Sequence, residues 1–340
     1  MTHTIHPGAT IAPTARLDAA ALTIGDGAVI GDHVVLRGSE IVIEAGARID
    51  HHVTVDAARI RIGRNAVMEH GTQARAIGGR ADEFTLGDCS FLGFEQNILV
   101  PILTLGDYTA IHNRCLISGY EPCTVGHNCW IGQDTILNAT KRLTLGNGVR
   151  IGTGSRLWTH VASGELLEGC TMYGEWPLVL EDDVWIVGGG IVSPNLTVAR
   201  GTVLMTGAVL TKSTEPRHVY AGVPARDVTD KLRVYQDVTS DDKRAMMLGF
   251  LHEFHTATAN RWRDCVQCVE TADAGRALQP DDCSARVVIQ VHGECVDLGP
   301  RTSVFSLATK RYTKRGTELE ECFIRFHVGY RARFVPWGAA

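Results

Sequence analysis

Histidine is the one side chain whose ordinary protonation equilibrium lies close to neutral pH, so a histidine in an irregular segment is where acid–base chemistry is first sought. His160 occupies such a segment, Trp158 to Val179, and is the best catalytic candidate in the chain. The other chemistry-bearing clusters are weaker. His51, His52, His70, His112 and His127 could ligate zinc, and Cys265-Val-Gln-Cys268 with Cys283 and Cys295 offers thiols. The cysteine gaps are long and irregular with no second Cys-x-x-Cys, which argues for separate thiols in a reduced setting and against both a metal site and a disulfide framework.

What must position His160 is a repeat. Aliphatic or small apolar residues recur six apart in triplets, among them Ile24, Ile30, Leu36; Ile62, Met68, Ala74; Val125, Ile131, Leu137; Leu145, Ile151, Leu157; and Leu180, Ile186, Val192. Ten such triplets run from Ile5 to Leu210. Six residues fit neither a helical turn nor a heptad, but they fit one short flat strand plus a tight corner, and three sixes close a triangular coil. No coil can bury its core alone, so the stacked array is the folding unit. Corners such as Ile24-Gly25-Asp26-Gly27 and Leu145-Gly146-Asn147-Gly148 carry the residues that tolerate positive φ. This pattern resembles the hexapeptide-repeat, left-handed β-helix family, and the left hand is what the resemblance implies. The spacing within a triplet is constant while the gaps between triplets vary, the largest being the 23 residues from Leu157 to Leu180. That insertion must leave the prism as a protruding loop.

After Leu210 the rhythm ends. Asp230 to Trp262 has helical spacing of Leu232, Met246, Leu248, Leu251 and Phe254, with Ser240-Asp241-Asp242 as its cap. Residues 265–283 read as loop, and Val287–Val291, Ser303–Leu307 and Phe323–Val328 read as strands. The expected fold class is an all-β left-handed parallel β-helix of about ten coils over residues 1–228, followed by an α+β domain of unassigned role over 229–340. A net charge of −5 among 340 residues favours neither nucleic acid nor an anionic membrane. The first residues carry no cationic leader and no apolar run is long enough to span a bilayer, so a cytoplasmic protein without membrane insertion is expected.

The run His160-Val161-Ala162-Ser163-Gly164-Glu165-Leu166, then Met172-Tyr173, Pro177 and Asp182-Asp183-Val184-Trp185-Ile186, resembles the maltose, galactoside and nodulation sugar acetyltransferases over residues 125–228. The resemblance implies an acyl-CoA-dependent, most simply acetyl-CoA-dependent, transferase that needs no metal. In it His160 is the general base, Glu165 orients the ring, with Glu168, Glu175 or a carboxylate of an adjacent subunit as alternatives for that place, and the Gly188 N–H stabilises the oxyanion. It also implies that Trp185, Thr206, Thr211, Lys212, Gly222, Pro224, Ala225 and Arg226 line the cofactor groove, the two cations meeting CoA phosphates. A homotrimer with sites at the subunit junctions and a sugar-containing acceptor follow from the same likeness. The chain departs from the family at two acceptor contacts, which fall on Gly132 and near Thr140, so O- and N-transfer stay open. Asn113, Gln133, Asn138 and Tyr173 are the candidate acceptor contacts. Two rival classes are a γ-carbonic-anhydrase-like zinc enzyme and a structural or regulatory prism. In the chain no two of the five coil histidines have the five-residue spacing that the former uses.

Overall fold

The computed structural model describes residues 2–162, 164–271 and 283–338. It forms two compact units, Met1–Val234 and Tyr235–Ala340.

The first unit is a solenoid with three parallel strand stacks. On its first face Ile5, Ile24, Ile43, Ile62, Leu86 and Leu105 pair in register, continuing through Val125, Leu145, Leu180 and Val198. The second face stacks Ile11 through Ile131, Ile151 and Ile186 to Leu204, and the third stacks Leu17 through Leu137, Leu157 and Val192 to Leu210. Every triplet residue thus meets its counterpart one coil away. Side chains such as Ile30, Leu137 and Ile151 are fully buried, each stabilising by about 1.5–3 kcal/mol.

Corners hold the coils at their spacing. Backbone N–H groups there are met by a side chain from the next coil: Asp88 N–H donates to Asp107, Asp107 N–H to His127 Nδ1, His127 N–H to Asn147, and Asn147 N–H to Asp182, at 2.7–2.9 Å. Gly126 sits where a Cβ would lie 2.7 Å from the carbonyl carbon of Gly146, so only glycine lets the coils approach. The insertion after Leu157 is a hairpin, with His160–Ala162 antiparallel to Tyr173–Glu175 and with Leu166, Leu167 and Met172 exposed.

The second unit is mixed α and β. Helix α1 (Ser240–Ala257) starts ten residues later than the apolar spacing from Asp230 suggested, because a reciprocal cap between Thr239 and Asp242 fixes its first turn. Its buried side is Met247, Leu251 and Phe254, while Met246 and Leu248 are exposed. Strands Val266–Val269, Arg286–Gln290 and Thr302–Ser306 run parallel, so the loop expected at 265–283 begins as a strand, and residues 272–282 lie outside the described set. Phe323–Val328, expected as a strand, is the end of helix α2 (Glu318–His327) with its C-cap Val328, and Thr317 caps the other end by accepting from Glu320 N–H. A disulfide joins Cys265 to Cys283, correcting the expectation of free thiols there; Cys268 and Cys295 are free. Among the described residues no helix is long and apolar enough to cross a membrane.

Candidate active site

His160 lies at the root of the hairpin, just past the third-face strand Arg156–Leu157, and it is half-buried. Its position is set by the coil beneath. Leu137 pairs with Leu157, so Asn138 and Thr140 follow the same edge one coil earlier as Trp158 and His160. The His160 Nδ1 is 3.0 Å from Asn138 Oδ1 and 3.2 Å from Thr140 Oγ1. Asn138 is itself held at both ends. Its Nδ2 donates to Ser118 O at 3.3 Å and to Thr140 Oγ1 at 3.2 Å, while its Oδ1 accepts from Thr159 Oγ1 at 2.7 Å and Thr159 N–H at 3.2 Å. Nε2 of His160 has no hydrogen-bond partner among the described residues, and the Trp158 ring stands edge-on with centroids 6.0 Å apart.

Glu165, expected to orient the ring, makes no bond to it; its carbonyl closes the turn at the hairpin tip by accepting from Glu168 and Cys170 N–H. The carboxylate opposite His160 in the hairpin is Glu175, and it pairs with Lys141 at 3.6 Å, which also holds Glu121 at 3.1 Å. Those two carboxylates hold the Lys141 ammonium above its usual value, the bond to Glu121 being the largest cause. A neutral amide, not an acid, therefore contacts the histidine. The one-coil offset from Leu157 to Leu137 was the signal that could have identified Asn138, Thr140 and Thr159 as its neighbours.

The remaining candidates divide between two edges of the third face. Gly188 precedes the strand Ile191–Val192, which pairs with Arg156–Leu157, whereas His160 follows the latter. The face between them spans about five extended residues, roughly 16 Å. Gly188 N–H has no partner among the described residues, as is also true of Thr153 and Thr206 at the same step of adjacent coils. Gly188 differs from them in its missing side chain, since the nearest atom to a Cβ there would be 3.8 Å away. Thr206 and Gly207 stack on Gly188 through Gly207 N–H to Gly188 O at 2.9 Å. The turn Gly222-Val223-Pro224-Ala225, with a cis Val223–Pro224 bond, lies beside Val209 through two backbone bonds and leads into exposed Arg226. Trp185 is exposed on the second face next to Val203. Thr211 and Lys212 are on the other edge, two coils beyond His160, because Leu210 pairs with Val192. Tyr173 is exposed on the hairpin, Gln133 is exposed at the Gly188 edge, and Asn113 accepts Phe94 N–H at 3.3 Å as a corner bond.

The coil histidines have packing roles. His51 and His127 accept backbone N–H groups, His52 stacks on His33, His70 stacks on Phe94, and His112 packs between Phe91 and Trp130. Burial lowers the His112 pKa.

No family model matches the chain. It is 34% identical over 88 residues to an acetyltransferase of Schizosaccharomyces pombe, a match covering 25% of this chain and 42% of that protein. It is 27% identical over 138 residues to galactoside O-acetyltransferase of Escherichia coli, covering 40% and 68%. The chain thus spans less than half the length of the first of these relatives. Among solved structures it is similar to AntD, an N-acyltransferase from Bacillus cereus in complex with dTDP-4-amino-4,6-dideoxyglucose and coenzyme A, at 18% identity and a TM-score of 0.37, over 42% of this chain and 82% of that one. Its stacked triplets are of the hexapeptide-repeat kind, and over these stretches the chain is similar to acetyltransferases.

Proposed function

We propose that this chain, a left-handed β-helix of about ten coils, transfers an acyl group from acyl-CoA, most simply acetyl-CoA, to a hydroxyl or amine of a sugar-containing acceptor. The observation that carries the reading is the His160 ring, fixed at Nδ1 and unpartnered at Nε2. Nε2 takes the proton from the acceptor as its oxygen or nitrogen attacks the thioester carbon. The tetrahedral oxyanion is met by Gly188 N–H, and collapse breaks the C–S bond; the CoA thiolate leaves with the proton from the imidazolium. Thr206, the Gly222–Ala225 turn and Arg226 receive the cofactor, Lys212 adds a cation on the opposite edge, and Trp185 borders the groove. The likeness to galactoside O-acetyltransferase supports a sugar acceptor.

Within one chain His160 and Gly188 are on different edges, so the reaction needs the His160 edge of one copy against the Gly188 edge of another. A closed ring of three prisms meets that need with three identical sites. Outward residues of the third face support it: Leu116, Ile136, Ile191 and Val209 form a half-buried apolar stripe, interrupted by Arg156.

The test is acyl-CoA consumption with a panel of sugar and amine acceptors. His160→Ala is expected to keep the oligomer and CoA binding and to lose at least about a hundredfold in turnover. Near-normal turnover in that variant removes His160 from the role.

A further inference from the structure

We infer that Asn138 is the positioning residue for His160, selecting the tautomer in which Nε2 is the base, and that it does so without supplying charge. This rests on the reading of His160 as the base. The amide has only one orientation compatible with its neighbours. The end near Ser118 O must be the NH₂, because a carbonyl oxygen only accepts, and the end near Thr159 N–H must be the oxygen, because that group only donates. Asn138 Oδ1 is thus an acceptor fixed by the backbone of two coils, and the contact with the ring nitrogen 3.0 Å from it is a hydrogen bond when that nitrogen carries hydrogen; Thr140 Oγ1, which accepts from Asn138 Nδ2, is the second group at 3.2 Å. With Nδ1 protonated in the neutral ring, the lone pair is on Nε2, the nitrogen with no partner. A free imidazole side chain in water favours the opposite form, with hydrogen on Nε2, which would donate where the reaction needs an acceptor.

The support is built in. Asn138, Thr140 and Thr159 are all buried, and Thr159 Oγ1 also accepts Lys141 N–H at 3.1 Å, so the amide is bonded to groups on both adjoining strands. A carboxylate at this place would also orient the ring, but it would favour the imidazolium and so hold the proton more tightly. The amide orients without that bias.

The experiment reads the tautomer directly, from the ¹⁵N shifts of labelled histidine, with the His160 signal assigned by its loss in His160→Gln. The wild-type protein is expected to show the Nδ1–H form at pH above the ring's titration. Asn138→Ala is expected to move the ring toward the Nε2–H form and to lower kcat by about 10–100-fold with KM for acyl-CoA unchanged. Asn138→Asp, which keeps an acceptor at Oδ1, is expected to restore the Nδ1–H form and to shift the acid limb of kcat/KM upward by roughly one pH unit. An Nε2–H ring in the wild type overturns the inference even if His160→Ala is inactive. So does an unchanged Nδ1–H ring with normal kcat in Asn138→Ala. Should that variant not fold, an Asn138→Asp protein with an Nε2–H ring decides against it equally.

Discussion

Between Leu22 and Leu210 the hydrophobic core of the solenoid is nearly all aliphatic, and its triplet residues each meet a near copy one coil away. The second unit closes instead on Phe254, Phe305, Tyr312, Phe323 and Phe334, rings that each occur once and touch at varied angles. The two also treat buried polar groups differently. In the solenoid, buried polar side chains such as Thr109, Thr135 and Ser155 donate to backbone carbonyls at the corners. The second unit buries Glu320 completely, bonded by Ser303 Oγ and the N–H groups of Arg315 and Gly316, and buries His327 among Phe250, Phe254, Phe323 and Phe326. A repeated core spreads its stability evenly over many similar contacts, whereas a unique core concentrates it in a few.

The largest expected effect tests that contrast by truncation. Phe323→Ala, which loses ring contacts at 4.7 Å to Phe305 and 4.1 Å to His327, should cost the second unit about 3–5 kcal/mol. Leu157→Ala, fully buried in mid-stack, should cost about 2–5 kcal/mol, and Leu17→Ala in the first coil, where the side chain is half-exposed, well under half of that. Urea unfolding followed by peptide-resolved hydrogen exchange separates the two units. Equal losses at Leu17 and Leu157 would mean that stacking on both sides does not set the stability of a coil.

Acid should distinguish the units next. Burial holds the His327 pKa down at about 4, against 6.5 for an ordinary histidine; Nδ1 bonds Phe323 O at 2.7 Å and Nε2 has no partner. Above pH 6.5 both folded and unfolded forms are neutral and nothing is lost. Between pH 6.5 and 4 the unfolded chain takes up a proton that the folded unit refuses, so stability falls as pH falls, by about 1.4 kcal/mol per pH unit. Hydrogen exchange at pH 6.5 and 5.0 should show this slope in the second unit, and His327→Leu should remove it. A slope of the same size in the variant would assign the acid sensitivity to another group.

The same difference governs what could be read from the sequence. Triplets six apart predicted the stacking partner of each inward residue because periodicity alone determines it. Helix α2 escaped because Phe323-Ile324-Arg325-Phe326 is rich in strand-favouring residues, while its actual buried set, Leu319, Glu320, Phe323, Ile324 and His327, follows the helical period and its cap lies six residues upstream at Thr317. The Cys265–Cys283 pairing depends on a tertiary approach that spacing does not encode. The place of His160 at the root of a protruding hairpin was legible from the break in the rhythm. Its contact with Asn138 follows from the one-coil offset, whereas the family likeness pointed to Glu165.

Within the solenoid, the faces differ as the units do, on a smaller scale. The outward column of the first face runs Thr4, Thr23, Val42, Arg61, Thr85, Thr104, Thr124, Thr144, Val179 and Thr197, which suits water, while the later half of the third-face column runs Leu116, Ile136, Arg156, Ile191 and Val209, apolar but for Arg156. Ile136→Glu should therefore shift the protein to a lower mass in sedimentation and lower activity with it, whereas Thr104→Glu should leave both unchanged. If both variants keep the wild-type mass, the third face is not where copies meet and the shared-site reading loses its support.

The smallest effect belongs to the ionic column on the first face, where Glu40, Arg59 and Glu83 follow one another in register and Arg59 Nη2 is 3.2 Å from Glu83. Arg59 is largely exposed, with 59% of its side-chain surface accessible, so water screens the pair and holding two long side chains in one geometry costs entropy. Arg59→Ala should change stability by only about 0.2–1 kcal/mol at low salt and by less at 0.5 M salt, where the screening length is only a few ångströms. The column instead contributes to register, because a slip of one residue would put Arg59 inward and Ile60 outward, and the cost of that slip is set by the aliphatic stack. A loss above about 2 kcal/mol, insensitive to salt, would show that the outer charges carry folding energy as the inner rungs do.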